Sequence, residues 1–404
     1  KNPDGSSADK AVTLYSVSFA PRDRNTYTLD SNLEPTAIGL ADVDGDGAVD
    51  VVLAGLRTST AGFVAVYRNQ GGGKLAGTPQ VLEVPDTVDD LQLADMDRDG
   101  AIDVVGISAN AGLLLLVLND GKGNFSLDNA FALSLPAGTA ATTLSVGNVL
   151  GDVYPDIVIG SSANPASTAA LLFYQGSSTG IGFTGGLDEG LTLFGNMLQR
   201  DLDGDGRDDI VYAQTTPGAQ PNQLVSNLRV VLSNGAGGFT YRPTLSTASG
   251  AYPQVAALDL NGDSLLDLVV SGVFMPNMLS GKVLSVFGNQ GGASFPSVRT
   301  EYSTNSQPYT MAVGDFNHDG RSDLVVGHIL KEGQGRVSTL INLGSGQGFA
   351  DVPLQPSYLI GFGDNYVAAT DFNRDGKSDF AVVSRGVPKI KQPAQLQVFL
   401  NTSL

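Results

Sequence analysis

Residues 42–50 read DVDGDGAVD, four carboxylates within nine positions, and run straight into the apolar stretch VVLAG at 51–55. Like charges at this density repel and raise one another's pKa, so a folding chain carries them only where something neutralises them. The pattern returns as DMDRDGAID from Asp95, DLDGDGRDD from Asp201, DLNGDSLLD from Asp259, DFNHDGRSD from Asp315 and DFNRDGKSD from Asp371, with a decayed copy, NVLGDVYPD, from Asn148. Successive starts lie 53, 53, 53, 58, 56 and 56 residues apart. Seven copies at one period mean a repeat architecture.

Each copy is followed by a short β-branched run, such as DVVLAG, DIVIGS or DLVVGH, too short for a helix. A second apolar run follows (VAVYRN, LLLLVLN, LRVVLSN) and leads into Gly-rich turns such as NDGKGNF and NQGGASF. A weaker polar strand and then a semi-apolar one (TAIGLA, QVAAL, TMAVG) complete the period. Four antiparallel strands per repeat, seven times, predict an all-β fold: a seven-bladed β-propeller in which each blade buries its faces against its neighbours. After LQVFLNTS no seventh fourth strand follows, whereas VSFAPRDRNTYTLDSN ahead of Asp42 resembles ASFPSVRTEYSTNSQ ahead of Asp315. The N-terminal stretch is therefore expected to complete the last blade, close the ring and make residues 1–404 a single domain.

Composition fits. Hydrophobic residues make up 42% and charged ones 16% of the 404 residues, with 51 Gly and 19 Pro, as in a turn-rich globular protein. A formal charge of −18 argues against a nucleic-acid partner, which needs clustered Lys and Arg, and points to cations. No run of about 18 apolar residues is present, so no membrane insertion is expected. Cysteine and tryptophan are absent and only His318 and His328 are found, which removes thiol chemistry and most parts of acid–base catalysis.

Within DVDGDGAVD the side chains at positions 1, 3, 5 and 9 converge if the backbone curls at the glycine of position 6. An all-oxygen, carboxylate-rich set selects a hard cation, and flexible coordination favours Ca²⁺. A helical EF-hand is excluded, because its bidentate Glu belongs at position 12, which here holds Leu53, Gly106, Tyr212, Val270, Val326 or Val382. The expected side-chain ligands are Asp42, Asp44, Asp46 and Asp50; Asp95, Asp97, Asp99 and Asp103; Asp201, Asp203, Asp205 and Asp209; Asp259, Asn261, Asp263 and Asp267; Asp315, Asn317, Asp319 and Asp323; and Asp371, Asn373, Asp375 and Asp379. The third copy has Leu150 at position 3 and Val153 at position 6, so its site is expected to be empty. The fifth has Ser264 where the others have glycine. Twenty-one of the 41 acidic residues fall in these six sets, and six divalent ions add twelve positive charges, bringing the formal charge from −18 to −6. The acidity then reads as a metal requirement, and the metals as structural.

These loops, with the DLVVG-like strand behind them, resemble the FG-GAP or VCBS repeats of integrin α-subunit propellers and of many secreted bacterial proteins, over essentially the whole chain. The resemblance implies that the loop joins the first and second strands of a blade. It also implies that the carbonyl of position 7 joins the four side chains on calcium, here that of Ala48, Ala101, Arg207, Leu265, Arg321 or Lys377.

The expected function is a calcium-stabilised, secreted, cell-surface or periplasmic module, monomeric and non-catalytic, that binds a protein or carbohydrate on the face opposite the acidic loops. The alternatives are a polysaccharide-degrading lyase or glycosidase on the same scaffold, or a structural element of a larger surface protein. On the opposite face the longer loops 215–223, 273–282, 330–336 and 385–395 offer an apolar tip (Met275, Pro276, Met278) and a basic spot (Arg385, Lys389, Lys391). Tyr252, Tyr309 and Tyr366 precede their first strands on that face and are candidates for the central mouth.

Overall fold

The computed structural model describes residues 17–19, 24–58, 61–137, 139–163, 169–178, 180–190, 193–217, 224–235, 237–247, 251–273, 283–304, 308–329, 334–344, 348–351, 358–387 and 390–403. Seven antiparallel sheets account for all the strands among them. The first blade contains Glu34–Ala41, Asp50–Thr58, Ala61–Tyr67 and Gln80–Val84, hydrogen-bonded in chain order. The next five repeat this order, two of them with an extra short strand, Leu245–Ser246 or Tyr358–Phe362, paired to the third strand. No helix among the described residues is long and apolar enough to cross a membrane.

The seventh blade is built from both ends of the chain. Asn365–Thr370, Asp379–Ser384 and Gln395–Phe399 supply three strands, and Arg24–Thr28 pairs antiparallel with the last of them, Tyr27 opposite Leu396. Just ahead of that strand, Phe19 inserts among Phe316, Tyr358 and Phe380, its ring edge-on to each at centroid distances of 6.0, 5.9 and 4.8 Å. Its backbone N–H donates to the Tyr358 hydroxyl at 3.1 Å.

Burial follows from the ring. Second and third strands are covered on both sides by neighbouring blades, so they are apolar continuously rather than alternately; Asp103–Ser108 and Asp379–Ser384 are buried at every residue. Outermost strands face water, as in Phe125–Ser134, where most residues are exposed. The apolar clusters lie between blades: Val51, Leu53, Phe63 and Ala65 of the first pack on Ala381, Val383, Leu396 and Val398 of the seventh.

First strands face one another round the axis. Five of the seven carry a register shift near their start, at Pro35/Ala37, Ala141/Thr143, Phe194/Met197, Ala251/Gln254 and Pro308/Thr310. A bulge re-aims the extra residue and bends the strand. The residues inside four of these shifts, Thr36, Thr142, Asn196 and Tyr309, line the channel.

Phe19 is 2% exposed. Phe19→Ala should therefore lower the unfolding free energy by about 3–5 kcal/mol in urea titrations. A loss below about 1 kcal/mol would show that the N-terminal segment does not hold blades six and seven together.

Candidate metal centres and axial channel

All six intact loops share one backbone path. Position 1 accepts, through its Oδ2, the N–H of position 6: Gly47 to Asp42 at 2.7 Å, Gly100 to Asp95, Gly206 to Asp201, Ser264 to Asp259, Gly320 to Asp315 and Gly376 to Asp371. Position 5 accepts the N–H of position 7 in every case, as in Ala48 to Asp46 and Ala101 to Asp99. This curl puts position 6 in the left-handed region, with φ of 85° at Gly47 and 92° at Gly100, where glycine has no steric penalty. Ser264 adopts it as well, at φ 69°, so the fifth loop keeps the shape at the cost of strain. Position 4 is also left-handed, including the non-glycine residues Arg98, His318 and Arg374.

Carboxylates converge accordingly. One oxygen each of Asp42, Asp44 and Asp50 lie within 4.8 Å of one another, as do those of Asp95, Asp97 and Asp99, and of Asp201, Asp203 and Asp209. In the last three loops position 3 is Asn, and its amide donates to the acid at position 5: Asn261 to Asp263, Asn317 to Asp319 and Asn373 to Asp375. The third loop is held differently. The Asn148 amide donates to the Asp152 carbonyl, its Oδ1 accepts Gly151 N–H, and Val153 at position 6 points outward, 64% exposed.

The donor set fits a hard cation. Asp95 Oδ1 is buried without a hydrogen-bond partner, a state a carboxylate oxygen holds only at considerable cost unless a cation faces it.

The acid at position 9 has a second role that its spacing did not reveal. Asp50 is fully buried; its Oδ2 accepts Val43 N–H at 3.1 Å and its Oδ1 accepts Asn69 N–H, at the end of the third strand, at 2.7 Å. The equivalent pair of bonds recurs at Asp103, Asp209, Asp267, Asp323 and Asp379. It is present even at Asp156 of the decayed loop, with Leu150 and Gly176 as donors. Burial, opposed by these bonds and reinforced by the neighbouring acids, pushes Asp50, Asp103 and Asp209 up to about 6, and Asp323 and Asp379 to about 7.

From the same third-strand end an Asn reaches back to the preceding blade. Asn69 Nδ2 donates to the Phe372 carbonyl at 2.9 Å, Asn119 to Val43 at 2.7 Å, Asn289 to Leu202 at 2.9 Å and Asn401 to Phe316 at 2.7 Å. Ser233 bonds Val149 in the same way. The acceptor is each time position 2 of the neighbouring loop. The recurring Asn was visible in VYRN, LVLN, VFGN and VFLN, but it read as an ordinary turn former.

On the opposite face the seven first strands enclose a cavity of about 590 Å³. Tyr309 and Tyr366 line it with ring centroids 6.5 Å apart, and burial followed by the nearby Asp364 charge raises the Tyr309 hydroxyl pKa. Gln92, Gln254, Asn196 and Thr142 supply amides and a hydroxyl, and Asp89 and Asp90 supply carboxylates; no Lys or Arg is among the described lining residues. Asp90 is committed to the ring, for its Oδ2 accepts Leu144 N–H at 2.9 Å and the Thr143 hydroxyl at 3.2 Å, both from the next blade. Asn196 clasps Val255 N–H and C=O in the same manner.

Of the expected basic spot, Lys391 is exposed. Arg385 is paired with Glu34 at 3.0 Å and lies 3.9 Å from Asp364. Lys389 and the Met275, Pro276 and Met278 tip lie outside the described residues, as does the side chain of Tyr252. His318 is exposed, and His328 is buried with Nε2 at 2.6 Å from Ser338 Oγ.

Comparison with known proteins agrees with this geometry. A family model described as an FG-GAP-like repeat matches residues 42–106 and 201–270, and one described as an FG-GAP repeat matches 308–340. Integrin alpha-PS5 of Drosophila melanogaster is 34% identical over 152 residues, covering 34% of this chain and 15% of that one. The chain thus matches only a small part of the length of this curated relative. Two solved structures share the fold: the Dos1 propeller, at TM-score 0.50 and 13% identity over 87% of this chain and 75% of that one, and the exotype rhamnogalacturonan lyase YesX, at TM-score 0.53 and 12% identity over 95% and 76%.

Burial pushes Asp90 from 3.8 up to about 6 against its three hydrogen bonds. Its folded pKa exceeds its unfolded one, so the native state binds the extra proton between these values, and stability falls as pH rises through them. Relative to Asp90→Asn, the wild type should lose about 2 kcal/mol between pH 4 and pH 6.5 and change little above that, read from denaturant midpoints at each pH. Parallel curves for the two proteins would contradict this.

Proposed function

This chain is an integrin-like β-propeller of FG-GAP repeats, and from that premise we propose that it is a calcium-stabilised recognition module acting outside the cell or at its surface. It takes a protein or glycan ligand in the axial channel, on the face away from the acidic loops. The observation that carries this reading is the channel itself: about 590 Å³, contributed by all seven inner strands, with paired tyrosines and neutral amides at its wall. A concave site with a few convergent polar groups is where a ligand is selected.

The six loops supply the rigidity. Calcium fits their oxygen donors and flexible ring size, held by the side chains at positions 1, 3, 5 and 9 and the carbonyl at position 7. Bound there, the ion neutralises charges that otherwise repel at six of the seven blades.

The channel's chemistry narrows the ligand. Among the described residues its only charged lining groups are Asp89 and Asp90, so a neutral or cationic group is accommodated and an anionic one repelled. This weighs against the second reading, a lyase like YesX, because a galacturonate-bearing polymer is itself anionic. Asp90 is also occupied by structural hydrogen bonds and is poorly placed to move protons.

A glycan array and a protein pull-down, each run with calcium and with EDTA, test the reading. Calcium-dependent retention of a neutral glycan or a protein, reduced at least about tenfold by Tyr366→Ala, is the expected result. Release of unsaturated sugars from a uronate polysaccharide would replace it with the lyase.

A further inference from the structure

Six loops share one backbone, yet they differ at the oxygen that would face the metal from position 5. In every loop Oδ1 of that acid is taken by the N–H of position 7. The other oxygen is where the loops part. In the fourth and sixth, the guanidinium of the position 7 residue itself turns back onto it: Arg207 pairs with Asp205 Oδ2, and Arg321 with Asp319 Oδ2. One residue thereby engages both carboxylate oxygens.

Both arginines are seated the same way. Arg207 Nε points at the Ser233 carbonyl at 3.5 Å, and Arg321 Nε donates to the Asn342 carbonyl at 3.2 Å, both at the end of their blade's third strand. In the other loops position 7 does not supply such a cation. Ala48, Ala101 and Leu265 carry no charge, and Lys377 sends its ammonium away to the Ser403 carbonyl. The first loop is approached by Arg68 of its own blade, 3.6 Å from Asp44, and by Arg374 of the seventh blade's loop, 3.5 Å from Asp46. These contacts are long and belong to partly exposed side chains, so they screen rather than occupy. Among the described residues the second loop has neither kind of cation: Arg98 lies over the Tyr154 ring, 5.9 Å from its centroid, and Asp95 Oδ1 is left unpartnered.

The geometry points to two classes of calcium site, in which Arg207 and Arg321 act as built-in counter-cations that hold the fourth and sixth loops in shape without metal and must be displaced for calcium to bind. The second loop fills first; the fourth and sixth fill last. This rests on the calcium reading above and adds to it an order of filling set by one side chain per loop. A guanidinium on a ligand carboxylate costs affinity twice, through occupation of an oxygen and through repulsion of the ion. It also offsets part of the like-charge repulsion when calcium is scarce, so these two blades stay assembled where the others loosen.

Calorimetric titration of the calcium-free full chain with CaCl₂, on the wild type and on Arg207→Gln and Arg321→Gln together, tests this. The Gln variants keep the backbone carbonyl at position 7 and most of the side-chain length. The wild type should show a weaker class of two sites, and the double variant should bind that class at least about tenfold more tightly. Its melting temperature should drop in EDTA but match the wild type in saturating calcium. Uniform affinities in the wild type, or an unchanged weak class in the variant, overturn the two-class assignment while leaving calcium binding intact. An equal loss of melting temperature in EDTA and in calcium marks the arginines as merely structural and overturns it too. No heat of binding in either protein overturns the calcium reading along with it.

Discussion

A buried aspartate at the ninth position of each acidic loop holds the propeller together. Its two oxygens accept backbone N–H groups from the start of its own loop and from the end of the third strand, so loop, second strand and third strand meet at one carboxylate. In several blades the side chain at that same strand end, usually an Asn, crosses to the preceding loop's position 2 carbonyl. Such buried bonds are cooperative, and losing one partner leaves the others unsatisfied. Asp156 shows that this duty does not depend on an intact acidic loop. Its loop has lost positions 3 and 6 of the pattern, yet the carboxylate is still fully buried and still doubly bonded.

That arrangement creates the electrostatic problem the loops then solve. Burial raises these acids while further carboxylates stand within a few residues, so the calcium-free propeller carries a ring of unfavourable charge on one face. A hard divalent cation in each intact loop, as proposed above, would remove it. The opposite face is relieved of that work. There the inner strands bulge, and Asp90, Asn196, Thr36 and Thr310 tie neighbouring blades together by direct hydrogen bonds. Polar clasps between neighbouring blades thus hold this end of the ring, beside the channel that Tyr309 and Tyr366 line.

Much of this was legible in the sequence because the acidic loop is both frequent and regular. Its period counted the blades, Gly47 and its equivalents marked the curl, and the Phe19 segment pointed to the seventh blade. Three features were not legible. The Asn clamp was hidden because Asn before a glycine turn has a sufficient local explanation. Left-handed backbone at Arg98 and Arg374 is imposed by the loop's hydrogen bonds on residues with no preference for it. The bulges lie in the pairing of first and second strands within a blade, where alternation in the sequence does not mark the extra residue, so Thr36, Thr142 and Asn196 gave no sign of facing the axis. The pairing of Arg385 with Glu34 was likewise out of reach of a local reading, since the two lie 351 positions apart in the chain.

The claim on which the rest stands is that these loops are cation sites set on a buried carboxylate frame. Anomalous diffraction from crystals grown in calcium tests it most directly. The account predicts a peak in each of the loops starting at Asp42, Asp95, Asp201, Asp259, Asp315 and Asp371, and none in the loop starting at Asn148. Absence of peaks from the six, or an equal peak in the seventh, would contradict it.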